Sequence, residues 1–286
     1  MNEVFSESIL CPFGISHKVT NRRSEELMHI HDNGFEFLLF IDGDVNYFLE
    51  TSIYSMKPGD ALLIPPNSIH GYLTKGDSNY ERIPLHIQRS LLISLSTEET
   101  SLLEAFQDPE HPIIHFNDTE MSQFIYHADT IIQSETEKAH GHDILSLAHL
   151  LFLLLIISTT CRNTRSSAQT RDISPAIIRR TINYINLYLT ENLTVQGIAD
   201  DLNISSSRLS HLFKEYTGSS IWHYVMAKRL VLARSLLLEG KSVMDACYES
   251  GFRDYAHFHK TFSKAFRISP GKFLKENRIN TPKKHT

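Results

Sequence analysis

The sequence predicts an α+β protein of two domains, an N-terminal antiparallel β-barrel with two following helices and an all-α C-terminal domain with two helix-turn-helix units. Two features predict this fold: short apolar runs between turn residues up to about residue 90, and helical spacing of apolar residues from Glu120 onward. A third is charge: residues 1–170 carry 10 basic and 23 acidic side chains, whereas residues 171–286 carry 18 and 10. Only the second half suits a polyanionic partner.

The predicted strands are rich in Phe, Ile, Leu and Tyr. They are Phe35–Ile41, Tyr47–Thr51, Ala61–Ile64 and Arg82–Ile87. Turn residues separate them, among them Asp42-Gly43-Asp44 and Lys57-Pro58-Gly59-Asp60. Short strands at this spacing favour an antiparallel barrel or sandwich.

Two helices are predicted after the strands. The first begins near Glu120, and the second covers about Asp143–Ser158 with Leu and Ile on nearly every side. A helix that is apolar all round is buried, either within its own domain or against another chain. A homodimer contact and intramolecular packing both remain open.

The polar segment Ser158–Ser174 is predicted to be a linker. The expected domains are therefore residues 1–157 and 175–286, with 158–174 between them. Pro175 suits the first turn of a helix that Ser174 caps.

Cysteine usage and apolar segments indicate a cytoplasmic protein without a membrane anchor. Cys11, Cys161 and Cys247 are far apart and form no paired motif, which argues against a disulfide framework and a zinc finger. The N-terminus lacks a signal-peptide pattern. The apolar run Ile144–Ile157 is shorter than the roughly 20 residues that span a bilayer.

The basic half contains the pattern of a helix pair twice. Thr194 and Ser205 can cap two short helices, the second with Leu209, Leu212 and Phe213 inside and its end near Gly218. Ser242 and Asp254 can cap a second pair, in which Gly251 forms the break and Phe258, Phe262 and Phe266 form the core face. The pattern Ser219–Leu238 predicts a connecting helix of about 30 Å. One DNA turn is about 34 Å, so two recognition helices held this far apart could enter successive major grooves.

These residues resemble the DNA-binding domain of the AraC/XylS family of transcription regulators. The matching positions include Ile198-Ala199, Leu202, Ser205, Leu209, Phe213-Lys214, Gly218, Arg229, Ala233, Leu236-Leu237, Gly251-Phe252, Phe258, Phe262 and Ser269-Pro270. The resemblance covers about residues 175–275. Arg229 falls in the connecting helix, where the family pattern implies a structural role.

The resemblance implies which side chains meet DNA. The base-reading positions are Ser207, Ser210, His211, Tyr255, Ala256, His259 and Lys260. Phosphate contacts are expected from Arg208, Lys214, Arg253 and Lys264. Small hydroxyls are weak direct readers, so the first recognition helix would rely on water and DNA shape as well.

The N-terminal half carries a set of possible ligands: His29, His31, Glu36 and His70. With Pro58-Gly59-Asp60 and Ile64-Pro65-Pro66, this set resembles the cupin barrel that many such regulators use as a sensor domain. Metal cupins bind a divalent metal through three His and one Glu of this kind. Three roles stay open: a divalent metal site, contacts to an organic effector, and purely structural pairing.

The leading interpretation is a one-component transcription regulator that responds to a small effector in the barrel. By resemblance, activation is the more usual mode and RNA polymerase a partner. A cupin metal enzyme with a helical appendage is the alternative, although the doubled helix-turn-helix argues against an enzyme. In a third interpretation, the N-terminal half only dimerises.

Overall fold

The computed structural model describes residues 13–20, 25–30, 34–75, 79–108, 111–164 and 172–279. The chain forms two compact units. The first consists mainly of residues before Ser174; the second consists of Ser174 onward together with Glu26–Ile30 and Glu50–Ser52. Strands lie in the first half and helices dominate the second, so the α+β fold class is confirmed.

The strands of the described residues form two sheets. They are β1 (Phe13–Ile15), β2 (Lys18–Thr20), β3 (Glu25–His29), β4 (Gly34–Asp42), β5 (Val45–Leu49), β6 (Ser52–Ser55), β7 (Asp60–Ile64), β8 (His70–Thr74), β9 (Tyr80–Gln88) and β10 (Ile113–His115). One sheet has the order β1-β9-β4-β7-β10, with β2 also on β9; the other has the order β3-β8-β5-β6. The pairs β4–β9, β4–β7 and β5–β8 are antiparallel, as expected for a barrel or sandwich.

Strand β4 is buried on both faces, and this fixes which of its side chains enter the barrel. Phe35, Phe37 and Leu39 join the core cluster that also contains the helices. Leu38 and Phe40 join a separate cluster with residues of the opposing sheet. Because successive side chains alternate between faces, Glu36 is on the side of Leu38, facing the second sheet.

The four predicted strands are confirmed, although their ends differ from the predicted ones by up to two residues. Strand β5 ends at Leu49 rather than Thr51, because Glu50 has a φ of 55° and begins a turn. The unpredicted strands are short, three to five residues each, so their periodicity is a weak signal.

Three α-helices lie among the described residues of the first unit. They are α1 (Arg89–Leu95), α2 (Asp118–Glu137) and α3 (His142–Thr164). Asn117 caps α2 in a capping box with Glu120, which confirms the predicted start. Leu150, Leu153, Leu154 and Ile157 of α3 pack into the core together with Phe124 of α2.

Helix α3 corrects the predicted linker, because it continues six residues beyond Ser158. Thr160 is buried and its hydroxyl donates to Glu120 Oε1 at 3.1 Å, while Cys161 is buried within the main core cluster. Residues 165–171 of the expected linker lie outside the described residues. At its far end, Ile173 N donates to Ile53 O, so the chain adds to the edge of β6.

The length of α3 also overturns the argument that its apolar run is too short to span a membrane. By length and composition, His142–Asn163 is long and apolar enough to do so, and it is the one such helix found among the described residues. Its buried face packs against the sheet and α2, which is the arrangement of a core helix.

The second unit is helical from Ala176 onward. Its helices are α4 (Ala176–Leu187), α5 (Val195–Asp201), α6 (Ser206–Thr217), α7 (Ile221–Leu238), α8 (Val243–Glu249), α9 (Tyr255–Phe266) and α10 (Pro270–Ile279). The caps predicted at Thr194, Ser205, Ser242 and Asp254 each accept a backbone N–H bond. Ser174 is not the cap of α4: Pro175 holds that position, and the Ser174 carbonyl accepts from Arg179.

Arg229 joins three parts of this unit. From α7, its Nε donates to Leu189 O and its Nη2 to Glu191 O, both at 2.9 Å and both between α4 and α5. Gly251, in the turn between α8 and α9, lies against the same segment with a φ of +90°. A Cβ there would lie 2.9 Å from Leu189 O and from Arg229 Nε. This supports the structural role expected of Arg229.

Gly251→Ala should destabilise the protein more than Gly240→Ala, although the two glycines share nearly the same φ. The φ strain is common to both, but a Cβ at Gly240 meets nothing within 4 Å. We expect the Gly251 variant to lose about 1–3 kcal/mol more of unfolding free energy, the usual cost of overpacking. Urea unfolding followed by circular dichroism measures this, and equal losses would contradict the proposed clash.

His17 ties the β1–β2 turn to two other elements. Its Nε2 lies 2.8 Å from Glu81 of β9 and its Nδ1 lies 2.9 Å from Asp129 of α2. Desolvation acts to lower the pKa of His17, but the hydrogen bonds and charges of Asp129 and Glu81 outweigh it, so the pKa is raised. The folded protein therefore favours protonated His17.

His17→Gln should cost stability in a pH-dependent manner. The contribution of a raised pKa is fully present below about pH 6.5, the value in the unfolded chain, and is lost as the pH rises through the folded pKa. We expect a loss of up to about 1 kcal/mol at pH 6 that shrinks by pH 8.5. Urea unfolding at both pH values measures it, with His140→Gln as an exposed control; a loss independent of pH would refute the protonated clamp.

Candidate nucleic-acid interface and ligand site

Helix α6 presents a polar face opposite a buried stripe. It begins after Ser205, whose hydroxyl accepts from Arg208 N, and ends at Gly218 in the left-handed conformation. Leu209, Phe213 and Thr217 are buried. Ser207, Ser210 and His211 are exposed, as a base-reading face requires. Leu212, expected in the core, is only half-buried.

Helix α9 has the same construction with larger side chains. Phe258, Phe262 and Phe266 are buried, with ring centroids of neighbours 5.6 and 4.5 Å apart. Their burial turns the opposite side outward. Tyr255, Ala256, His259 and Lys260 are exposed on that side.

The predicted phosphate ligands are also exposed. Arg208 lies in the first turn of α6 and Arg253 immediately precedes the α9 cap, while Lys214 and Lys264 lie in the last turns of the two helices. Glu215 adds a negative charge to α6, and its carboxylate lies 3.5 Å from His211 Nδ1. Each end of both polar faces therefore carries an exposed cationic side chain.

Helix α7 lies between the two helix pairs in sequence and is anchored along its length. Its 18 residues correspond to about 27 Å. Ile221, Val225, Leu230 and Leu237 are buried, and Arg229 is held as described. Such packing makes α7 a stiff spacer within the unit.

In the first unit, two of the predicted ligand residues come together: His70 Nε2 lies 3.1 Å from Glu36 Oε2. His70 begins β8 and Glu36 belongs to β4, so the pair joins the two sheets. His29 ends β3 and belongs to the segment Glu26–Ile30 of the second unit. His70 and Glu36 are buried and His29 is half-buried. His31, the fourth predicted ligand, lies outside the described residues.

A buried arginine that the sequence analysis missed lies in the same β-domain. Arg82 of β9 donates to Thr20 Oγ1 at 2.8 Å and to Tyr72 OH at 3.3 Å. Its guanidinium carbon lies 4.2 Å from the ring centroid of Tyr80 and 5.1 Å from that of Tyr72. A buried cation among tyrosines is a polar group of the kind that orients a ligand. Its partners come from β2, β8 and β9, so no sequence spacing signals the cluster.

Helix α3 has a second apolar face that the first unit leaves exposed. We call Ile144, Leu145, Phe152 and Leu155 the α3 face; all are exposed large hydrophobics. At its edge, His127 Nδ1 and His149 Nδ1 lie 2.9 Å apart, and the His127 ring stacks on Phe152. Burial, and after it the charge of the nearby His149, lowers the pKa of His127.

Comparison with known families matches both parts of the chain. The profile described as an AraC-like ligand binding domain matches residues 13–155, half of the chain. A profile described as a helix-turn-helix domain matches residues 198–276, which include α6 and α9.

Curated relatives share these two parts. The lactose operon transcription activator of Staphylococcus xylosus is 28% identical over 171 residues, 59% of this chain and 60% of that protein, so less than two thirds of its length is matched. The activator RhaR of Pectobacterium carotovorum is 22% identical over 257 residues, 89% of each chain. A crystal structure of fatty-acid-bound ToxT from Vibrio cholerae aligns over 92% of this chain and 94% of its own, at 14% identity and a TM-score of 0.41.

Proposed function

Because the chain belongs to the AraC family of transcription regulators, we propose that it reads promoter DNA with α6 and α9 and activates transcription when a small effector binds its N-terminal barrel. One observation carries the DNA-binding part. Each of the two helices buries an apolar stripe and exposes a polar face, within a C-terminal half that holds 18 basic and 10 acidic residues. That combination is the electrostatic and geometric footprint of a major-groove reader.

The exposed side chains divide into two roles. Lys260 can donate to guanine O6 and N7, and the Ala256 methyl can contact a thymine methyl. Arg208, Lys214, Arg253 and Lys264 contact phosphates, which fixes the register of the helices without reading sequence. Ser207 and Ser210 are short, so α6 discriminates less than α9 and relies more on water and groove shape.

Helix α7 sets the distance between the readers. Its length of about 27 Å is close to the roughly 34 Å of one duplex turn. We propose that α6 and α9 enter successive major grooves on one face of the DNA.

The effector site is proposed inside the barrel. Glu36 and His70 supply convergent polar groups among apolar strands, which is the usual composition of a small-molecule site. The relatives from Staphylococcus and Pectobacterium are both described as activators, which supports activation and RNA polymerase as a partner. Such a promoter-binding regulator works in the cytoplasm. It acts by binding DNA and not as an enzyme.

The α3 face supports a homodimer. Four large apolar side chains on one helix face form a patch that is costly to leave in water. A second copy offers the same patch, which makes a self-complementary two-fold contact. We therefore propose that residues 1–157, together with the extension of α3 to Thr164, form the sensing and dimerisation domain, and residues 175–286 the DNA-binding domain.

Replacing two α9 readers should reduce sequence discrimination. Duplexes selected from a random library by the wild-type protein supply the cognate site. His259→Ala/Lys260→Ala should lower the ratio of cognate to scrambled affinity by about 1–3 kcal/mol for each lost base contact. Lys264→Ala should weaken binding to both duplexes equally. It should also reduce the slope of log affinity against log salt concentration by about 1.

Lys272→Ala is the matched control, because Lys272 is exposed on α10 and pairs with Glu276. Fluorescence anisotropy at several salt concentrations measures all four proteins. An unchanged affinity ratio in a folded double variant would show that other residues read the bases; a library from which nothing is enriched would refute sequence-specific binding.

Phe152→Glu should abolish dimerisation by placing a charge in the α3 face. Ile93→Glu on α1 is a matched control, because both side chains are 53% exposed. Light scattering after size exclusion should give the mass of a monomer for the first variant and of a dimer for the wild type and the second. A dimeric Phe152 variant would place the contact elsewhere.

A further inference from the structure

We propose that the effector of the barrel is a small molecule with one carboxylate and an apolar ring, and that Arg82 binds the carboxylate. The inference rests on the proposed function, because it names the ligand class of the barrel site. Its first support is the position of Arg82. Ile83 and Leu85 of β9 belong to the core cluster with the helices, whereas Tyr80 belongs to the cluster with the second sheet. Side chains alternate along a strand, so Arg82 is on the inner side with Tyr80.

The burial of this charge is the second support. Arg82 is only 8% exposed, and both of its hydrogen-bond acceptors, Thr20 Oγ1 and Tyr72 OH, are neutral hydroxyls. The rings of Tyr72 and Tyr80 attract the cation but carry no net charge. Buried cations in proteins are nearly always paired with an anion, because an unpaired charge in an apolar interior is costly. The site therefore favours an anionic ligand.

Two acidic residues close to Arg82 in the sheet are engaged elsewhere. Glu81, its neighbour in sequence, points to the other face, where its Oε1 lies 2.8 Å from His17 Nε2. Asp60 of β7 lies two strands away, and its Oδ1 lies 2.9 Å from His115 Nδ1. Within the described part of the chain, the hydrogen bonds and ring contacts of Arg82 include no acidic side chain. A ligand can therefore supply the missing negative charge.

The guanidinium and the rings around it define the class of ligand. Among the described residues, Arg82 uses two of its five N–H donors, and its planar fork matches the two oxygens of a carboxylate. One arginine offsets one negative charge, which suits a carboxylate better than a phosphate ester with nearly two. Tyr72 and Tyr80 pack against each other and against Tyr47 and Phe40, with ring centroids 4.8–5.9 Å apart. These aromatic walls favour an apolar ring as the body of the ligand.

Matched acids and amides are the probes for the test. Full-length protein is titrated by calorimetry and by thermal melting with benzoate, phenylacetate and cyclohexanecarboxylate, and with the three corresponding primary amides. We expect at least one carboxylate to bind at one site per chain and to raise the melting temperature. Its amide has nearly the same shape without the charge. The amide should bind about 10- to 100-fold more weakly, because hydrogen bonds to charged groups are the stronger kind.

Two variants of Arg82 show whether this residue binds the carboxylate. Arg82→Gln should weaken binding of the best carboxylate by about 10- to 100-fold and so remove its advantage over the amide. Arg82→Lys keeps the charge but lacks the planar fork, so we expect a loss of about 2- to 10-fold. Arg89→Gln is the control and should bind as the wild type does, because Arg89 is exposed at the start of α1.

Three results would overturn the inference. In the first, none of the three carboxylates binds the wild type, or each amide binds as tightly as its acid. In the second, the affinity for the best carboxylate is unchanged in Arg82→Gln; if that variant does not fold by circular dichroism, unchanged affinity in Arg82→Lys has the same meaning. In the third, phenyl phosphate binds more tightly than benzoate, which would contradict the single charge of the ligand.

The random-library DNA selection separates this inference from the proposed function. A chain that enriches a DNA site but binds no carboxylate through Arg82 keeps its proposed function and loses this inference. A chain that binds a carboxylate through Arg82 but enriches no DNA site keeps the ligand site and loses the function.

Discussion

Three phenylalanines at four-residue intervals on α9 are the interaction on which the proposed DNA-binding face depends. With Phe258, Phe262 and Phe266 packed against one another, the helix has only one rotation about its axis that keeps all three out of water. That rotation exposes His259 and Lys260. Helix α6 follows the same rule with Leu209 and Phe213. The hydrophobic effect does not itself recognise a DNA sequence. It nevertheless determines which side chains face outward and can contact the bases.

The same logic operates in the barrel with a period of two. Phe37 and Leu39 face the helices, so Glu36 and Leu38 must face the second sheet. The Glu36 carboxylate lies in an apolar interior because the strand that contains it is packed on both faces. Burial there strengthens any interaction with a cation, whether the cation is a proton, a metal or part of an effector.

The parts of the fold that obey local rules could be predicted from the sequence, including the caps at Ser205 and Asp254. The exposed positions of α6 and α9 could also be predicted, since one helical period determines them. The end of α3 could not be predicted from the sequence. Thr160 is a polar residue, and the partner of its hydroxyl is Glu120, forty residues away in the chain. Arg82 was missed for the same reason: its hydrogen-bond partners belong to other strands, and sequence spacing does not report which strands are neighbours in a barrel.

The junction of Arg229, Leu189 and Gly251 has a consequence for the promoters that such a protein can use. The Arg229 side chain of the connecting helix donates to the Leu189 carbonyl after α4, and Gly251 of the turn before α9 lies against both, so the two helix pairs are held to each other. The distance between the two helix pairs is then fixed. A site lengthened by half a duplex turn would turn its second groove away, and the DNA, being the softer partner, would have to twist or bend to meet it.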